Sequence, residues 1–456
     1  MVRSLILLLP LPLLILLLAA PSPTLAWGQA GHAIVATIAQ SLLHPAVRTH
    51  LCTILPSFTS YTSPYPRKGA PHTHCHLATL ASWPDTAKWR MPWSGHLHYV
   101  NPVHDEPPKT CTYGEQGFTD QENVLTGLVN YTRQLRDGTG AERDVALRFV
   151  THFVGDLHQP LHLTGRARGG NDVWVRYEGR KARLHSIWDG QIINTQIRNL
   201  YNYTTPLPSL PFESTLQGQV WDPYIRWIMA EGLGVGKTSS AQAWWETEWS
   251  SWAECPDPPT ADYGDDPTNR VDETDLPLCP MAWSRPLHPL VCQYAFASPV
   301  PAPGEEEALL EKWEERYQDA SPVAAGDDVE AERRRRRRRR RRPSPSPNPQ
   351  PTTSRPSTPT HPSPQPDLPE LADDYLKRIN DDLIIQRQLA LGGVRLAAII
   401  NSVLLEEALR AEKVAEQLQE EAATSAQMQM GAPWLERVWS GVTGLVRKKM
   451  VLGGIL

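Results

Sequence analysis

The chain has 456 residues, 40% of them hydrophobic and 21% charged, enough for one large domain or two ordinary ones. Ten of its 45 basic residues lie in one run, Arg333 to Arg342, so the remainder carries −15 against −5 for the whole. That balance leaves no obvious basic groove for nucleic acid along the body, and phosphate chemistry on such a surface needs bound cations for most of its positive field.

At the amino terminus, Arg3 precedes a 15-residue apolar run from Ile6 to Ala20, broken by Pro10 and Pro12 and followed by the small-residue site Thr24-Leu25-Ala26. This pattern predicts a signal peptide over residues 1–26, with Trp27 as the first mature residue. The alternative, a membrane anchor, is disfavoured by the prolines and the shortness of the run. A secretory route makes the six cysteines readable: Cys52, Cys75, Cys111, Cys255, Cys279 and Cys292. No C-x2-C pair occurs, so disulfides are expected rather than thiolate metal sites, with 15 pairings open. Two sequons, at Asn130 and Asn202, are glycosylation candidates on the same route.

Residues 27–298 read as one all-α, mainly helical unit. Ile34, Val35, Ile38, Leu42 and Leu43 recur at helical spacing after His32. Thr119-x2-Glu122 has the form of a capping box opening a helix through Val124, Leu125, Leu128 and Val129. Val145, Phe149, Val150, Phe153, Val154 and Leu157 predict the next helix, with Pro160 near its end. His152 and Asp156 lie beside that apolar stripe and should face the interior. Gly169-Gly170-Asn171 reads as a turn before a β-like stretch, Val173 to Tyr177.

Prolines, acidic runs and the ten arginines then crowd into residues 299–368, the composition of a low-complexity disordered insertion. A solvated insert or a mis-spliced segment is favoured there over a basic nucleic-acid arm. Helical periodicity returns in residues 369–421 through Tyr375, Ile379, Leu383, Ile384, Leu396, Ile399, Ile400 and Val403, with Gly392-Gly393 as an expected interruption. The extension over 422–456 places Leu435, Val438, Trp439, Val442, Leu445 and Val446 on one face beside basic residues. It is an amphipathic candidate for contact with a membrane surface, a reading not favoured over intramolecular packing or disorder.

The chemistry is concentrated in histidines and aspartates at metal-ligand spacing. His152-x3-Asp156-x5-His162 is followed by His185-x3-Asp189, with Trp27-x4-His32, Asp85 and His98 upstream. Residues at i and i+4 project from one helix face, so a single turn can grip one ion. Neutral imidazole and carboxylate are what Zn²⁺ takes without thiolates, and a free Trp27 amine with its carbonyl oxygen can chelate as well. Any one of these histidines alone would more often be structural. Nine together are expected to hold two or three ions. His72, His74, His76, His96 and His158 are assigned no metal; His158 sits two residues from Asp156, off the ligand face.

WGQAGH at Trp27, SWPD, LHYVNP, THFVGDLHQPLH, GGN and LHSIWD together resemble the secreted zinc-dependent single-strand nucleases, or 3′-nucleotidases, of fungi and plants. That family shares its helical fold with zinc-dependent bacterial phospholipase C. The resemblance covers Trp27 to about Ala297 and resumes near Asp373, where GGVRLAAIIN is similar to the family's closing helix. It implies three Zn²⁺ ions. Asp85, His98, His152 and Asp156 would surround one, Asp156 would bridge to a second held by Trp27 and His32, and His162, His185 and Asp189 would hold the third. It further implies a zinc-activated hydroxide attacking phosphorus in line, cleavage of the P–O3′ bond and a 5′-phosphate product, with Asp85, Asp156 and Lys88 in catalytic roles.

The same resemblance gives Lys88 to the phosphate, Tyr99 to base stacking and Asn171 to the base edge. Asn101 replaces a frequent aspartate of the family at a substrate position. Stacking tolerates any base but demands an unpaired one, which matches single-stranded DNA and RNA as substrates. Cys111–Cys292 corresponds to a family disulfide, leaving Cys52–Cys75 and Cys255–Cys279 as the economical pairs. The insertion and the extension have no counterpart in the family, and no stable protein partner is implied. Two other readings are a phospholipase C acting on lipid head groups and a metal-binding glycoprotein without catalysis. The aromatic after His98 and Lys88 favour the nuclease over the first; the intact ligand set disfavours the second.

Overall fold

The computed structural model describes residues 27–62, 64, 73–236, 243–245, 248–256, 275–319 and 368–452, with side chains in the last two stretches described to 314 and 423. The signal-peptide prediction and the ten arginines lie outside these, and the apolar face expected over Leu435 to Val446 lies beyond the described side chains.

Helices dominate. Helix α1 (Gln29–Leu42) is buried almost throughout, with Ile34, Val35, Ala36, Ile38 and Ala39 in the core, and α2 (Pro45–Ile54) follows after a two-residue corner, Leu43-His44. A short antiparallel pair, β1 (Ser60–Thr62) and β2 (Thr73–Cys75), leads to the single-turn helix α3 (Trp83–Ala87). Helices α4 (Val124–Asp137) and α5 (Ala141–Leu157) form an antiparallel hairpin stacked through Tyr131, Phe149 and Phe153. The hairpin β3 (Trp174–Tyr177) and β4 (Arg180–Arg183) then feeds directly into α6 (Leu184–Ser186), a π turn over Ile187–Gln191, and α7 (Ile192–Asn199).

Two expectations are corrected along this path. The α4 capping box is formed by Asn123 and Thr126, not Thr119 and Glu122: Asn123 accepts from the Leu125 and Thr126 amides while the Thr126 hydroxyl accepts from the Asn123 amide. The Thr119 amide instead donates to the Asn101 carbonyl at 2.9 Å, so it is not available for the reciprocal bond that a box with Glu122 would need. The expected break at Gly392-Gly393 is also absent: α10 (Ile384–Leu452) continues through it, after α9 (Asp373–Asp381), and runs on past the boundary expected near Glu421. The glycines serve approach. A Cβ on Gly393 would stand 2.4 Å from Ile38 Cγ2, so α1 and α10 touch backbone to side chain. The apolar stretch of α10 is long enough to cross a membrane but is mostly covered by the rest of the chain.

Part of the stretch expected as a disordered insertion differs: Glu306–Asp319 is a helix, α8, and the chain before it is anchored by buried Val300, while residues 320–367 lie outside the described residues. The attachment of α8 is polar and aromatic. Buried Arg166 pairs with Glu306, and the Trp313 ring lies 3.5 Å from the Lys181 ammonium. Three disulfides, Cys52–Cys75, Cys111–Cys292 and Cys255–Cys279, tie the surface segments together.

Candidate metal centre and substrate pocket

Helices α1, α5 and α6 with its π turn, together with the α3 turn and the 3-10 segment Pro92–His98, converge on one buried polar cluster. Asp156 is at its centre. Its carboxylate lies 3.4 Å from His32 Nε2, 3.0 Å from His98 Nδ1 and 3.2 Å from His152 Nε2. Asp85 Oδ1 sits 3.8 Å from His152 Nε2 and 3.5 Å from Lys88 Nζ. Across the cluster, His162 and His185 stack at 5.1 Å between ring centroids, and His185 Nε2 is 3.3 Å from Asp189. Three groups are compact enough to hold an ion each: His32–His152–Asp156, Asp85–His98–His152 and His162–His185–Asp189. The Trp27 side chain is fully buried, and the next amide, Gly28 N–H, donates to the Asp189 carbonyl at 2.7 Å. The structure therefore brings all nine residues into one region.

A fourth cluster, Asp105–Cys111–His288, differs in kind, because the Cys111 sulfur is committed to Cys292.

The donor chemistry fits cations. His152 Nδ1 donates to the Ala81 carbonyl at 2.7 Å, His162 Nδ1 to His98 O at 2.6 Å and His185 Nδ1 to Gly169 O at 2.5 Å. Each bond fixes a tautomer with Nε2 as the lone-pair side, the arrangement by which proteins orient metal-binding imidazoles. Several buried atoms have no hydrogen bond within the protein: both His32 ring nitrogens, Nε2 of His98 and of His162, and Oδ1 of Asp156. Native interiors tolerate few such atoms, and a concentration of them among imidazoles and carboxylates suits a divalent metal.

Electrostatics separates the histidines. Burial, reinforced by the neighbouring His152, lowers His32 to about 4. Burial lowers His98, His162 and, to about 3, His185, keeping them neutral lone-pair donors. For His152 burial acts in the same direction but is outweighed by Asp156 and Asp85, which raise it to about 9. Asp156 is held far down despite its burial, because His152 and His162 face it, whereas burial raises Asp189.

A pocket of about 250 Å³ opens onto this cluster. Its walls include Asp85, His98, His162 and His185 together with Lys88, Tyr99, Asn101 and Asn171, the four residues expected to meet substrate. Asn171 Nδ2 donates to Arg168 O at 2.8 Å, leaving its buried Oδ1 without a hydrogen bond in the protein. Asn130 and Asn202, the sequon residues, are both exposed.

The S1/P1 nuclease family model matches residues 27–324. The chain belongs to the S1/P1 nuclease family. Members of this family are hydrolytic phosphodiesterases, and the family is metal-dependent. The chain is similar to Endonuclease 4 of Arabidopsis thaliana, 28% identical over 61% of this chain and 78% of that protein. It is also similar to Nuclease P1 of Penicillium citrinum, 33% identical over 36% of this chain and 57% of the relative. Against Nuclease S1 of Aspergillus oryzae it is 34% identical over 36% and 54%. The chain thus spans a little over half the length of these two fungal relatives.

Seen as an S1/P1 nuclease fold, the site contains residues that sequence spacing did not single out. Gln159 Nε2 donates to Asp189 Oδ1 at 2.7 Å, fixing that oxygen's direction and opposing, without overcoming, the rise that burial imposes on Asp189. Gly155 lies against His32, where a Cβ would come within 2.5 Å of Nδ1. Gly169, at φ +62°, supplies the carbonyl for His185. Arg168 adds a second cation to the pocket wall. The sequence signal for Gly155, Gln159 and Gly169 is their place inside the THFVGDLHQPLH and GGN motifs; Arg168 lies just before GGN. His158, excluded as a ligand on spacing, bonds to Val154 O and Arg395 instead.

Proposed function

We propose that this chain is a secreted, zinc-dependent endonuclease that hydrolyses single-stranded DNA and RNA at the P–O3′ bond, leaving 5′-phosphates, and that it also acts on 3′-nucleotides. The observation that carries this reading is the coincidence in one place of three His/Asp groups with a pocket containing Lys88, Tyr99, Asn101 and Asn171. Asp85, His98, His152 and Asp156 would hold one zinc; Trp27 and His32, sharing Asp156, a second; His162, His185 and Asp189 the third. Bound zinc supplies water activation and charge neutralisation on the phosphoryl group. The protein's own contribution is orientation: backbone carbonyls aim the imidazoles, and Gln159 aims Asp189.

Lys88, next to Asp85, meets the phosphate charge as it builds. Half-buried Tyr99 offers a ring to an unpaired base, worth ~1–3 kcal/mol, and the Asn171 Oδ1 accepts from a base N–H. The three disulfides suit export into an oxidising compartment. The test is digestion of single-stranded DNA with and without zinc, with the product ends identified and phosphatidylcholine as a parallel substrate. Zinc-dependent release of 5′-phosphate ends from DNA is expected; cleavage of the lipid alone would replace this reading with a phospholipase.

A further inference from the structure

Between His162 and Asn171 the chain makes a turn that its sequence does not favour. Ala167 (φ +46°), Arg168 (φ +54°), Gly169 (φ +62°) and Gly170 (φ +78°) are left-handed in succession. Glycine takes that backbone freely, but at Ala167 and Arg168 a Cβ crowds the following carbonyl oxygen, so the conformation is disfavoured at both. Such backbone persists only where its surroundings over-determine it.

The turn serves the site directly. Thr164, Gly165, Arg168, Gly169 and Asn171 all line the substrate pocket. The Gly169 carbonyl accepts from His185 Nδ1 at 2.5 Å, and the Arg168 carbonyl accepts from Asn171 Nδ2 at 2.8 Å, which leaves the Asn171 Oδ1 for a base. A Cβ at Gly169 would stand 2.6 Å from Leu161 O, so the turn sits tight against the segment that carries His162. A right-handed backbone here would redirect both carbonyls.

Arg166 closes the turn with its main chain and clamps it with its side chain. Its carbonyl accepts from the Gly170 amide at 3.0 Å, and its own amide donates to Thr164 Oγ1 at 3.3 Å. The buried guanidinium lies 4.2 Å from the Phe296 ring and donates to Pro107 O, to Pro301 O at 2.6 Å and to Glu306 Oε1. Glu306 is itself fixed. Its other oxygen accepts from the Gly304 amide at 2.8 Å, and α8 is docked where the Trp313 ring meets the Lys181 ammonium.

We propose that Arg166, clamped by Glu306, is a positioning residue for the substrate pocket. It holds Ala167–Gly170 left-handed, so that Asn171 meets the base and the Gly169 carbonyl orients His185. This deepens the proposed function and rests on it.

The test compares the zinc-loaded parent with Arg166→Lys, which keeps the charge but not the planar fork, and with Glu306→Ala, Glu306→Gln and Glu306→Ala/Ala167→Gly. KM and kcat are measured with excess zinc on 3′-AMP and on ribose 3-phosphate, which has no base. Zinc retention is followed as metal content against a graded chelator. In Arg166→Lys and Glu306→Ala the KM for 3′-AMP should rise roughly three- to tenfold, the worth of one neutral hydrogen bond. The kcat and the KM for ribose 3-phosphate should change less. One zinc should leave at a chelator concentration on the order of tenfold lower, since the carbonyl behind His185 is no longer held. Glu306→Gln keeps an acceptor for Arg166 and should stay near the parent. Adding Ala167→Gly to Glu306→Ala should restore most of the loss, because glycine takes the left-handed backbone without the clamp.

Melting temperatures check that each variant folds, and Glu306→Ala carries the comparison alone if Arg166→Lys does not. An unchanged ratio of the two KM values with unchanged zinc retention overturns the proposal. So does a loss that Ala167→Gly leaves in place, which would make the clamp a matter of packing alone. A parent that holds zinc but hydrolyses neither substrate would overturn the nuclease reading only, since the chelator series still reads the turn.

Discussion

His32 and His152, 120 residues apart in sequence, stack with 3.8 Å between ring centroids and 17° between planes, His32 Nε2 lying 3.4 Å from Oδ1 of Asp156 and His152 Nε2 3.2 Å from its Oδ2. Two imidazolium rings at that separation would repel, and the surroundings divide their protons: His32 is pushed to about 4 and His152 raised to about 9. Asp156 is thus the group on which both halves of the centre depend. Asp156→Ala should abolish measurable turnover, whereas Lys88→Ala, which removes charge only from the phosphate side, should reduce kcat/KM by about 10²–10³. Comparable kinetics for the two variants would remove Asp156 from its central place.

Chelation should abolish activity and lower the melting temperature together. The candidate ligands come from α1, α3, α5, the 3-10 segment and the π turn, so bound metal ties elements together that otherwise carry buried unpaired nitrogens. Zinc in excess should restore both, by mass action on the native state. Full activity after exhaustive metal removal would contradict the assignment.

What was legible in the sequence was the chemistry carried by local spacing. His152 with Asp156, and His185 with Asp189, sit on single helical turns, and a turn is visible in one chain. What was hidden depends on a remote segment. Gly155 matters because His32 packs against it, Gly393 because Ile38 does, and α8 exists through a buried arginine and a hairpin lysine far from it in sequence. The misplaced capping box has the same origin: Thr119 could have capped, but the Asn101 carbonyl holds its amide.

The approach of α1 and α10 can be tested at Gly393. Gly393→Ala puts a methyl group 2.4 Å from Ile38 Cγ2 and should cost about 1–3 kcal/mol. The expected readout is a melting temperature several degrees lower, with metal content unchanged. Wild-type stability would mean that the helices separate at no cost.

Asp222 supplies a pH test away from the metal cluster. Burial raises its carboxyl to about 6, partly offset by the Gly218 amide, which donates to Oδ2 at 2.8 Å, and by Arg226. Between an unfolded value near ~3.9 and about 6 the folded state binds more protons, so this group's contribution to stability falls as pH rises through that window. Asp222→Asn keeps an acceptor oxygen and removes the titration. Its melting temperature relative to the parent should therefore climb between pH 4 and 7. A constant difference across that range would show that the carboxyl is not raised.

The amino terminus gives the sharpest test of the ligand set. If Trp27 binds zinc through its α-amine, that amine must be free and must lose its proton on binding. An ordinary α-amine has a pKa of ~7.7–8.0, so at physiological pH the metal displaces the proton. Retaining Ala26 turns the amine into an amide of far weaker ligand character, while the buried Trp27 indole can stay where it is. The longer form should hold one zinc fewer and lose most of its turnover, with its helical content intact. Zinc content and kcat should be measured for protein beginning at Trp27 and for protein beginning at Ala26. Equal values in the two would exclude Trp27 as a ligand and leave His32 as a packing partner of Gly155 and His152.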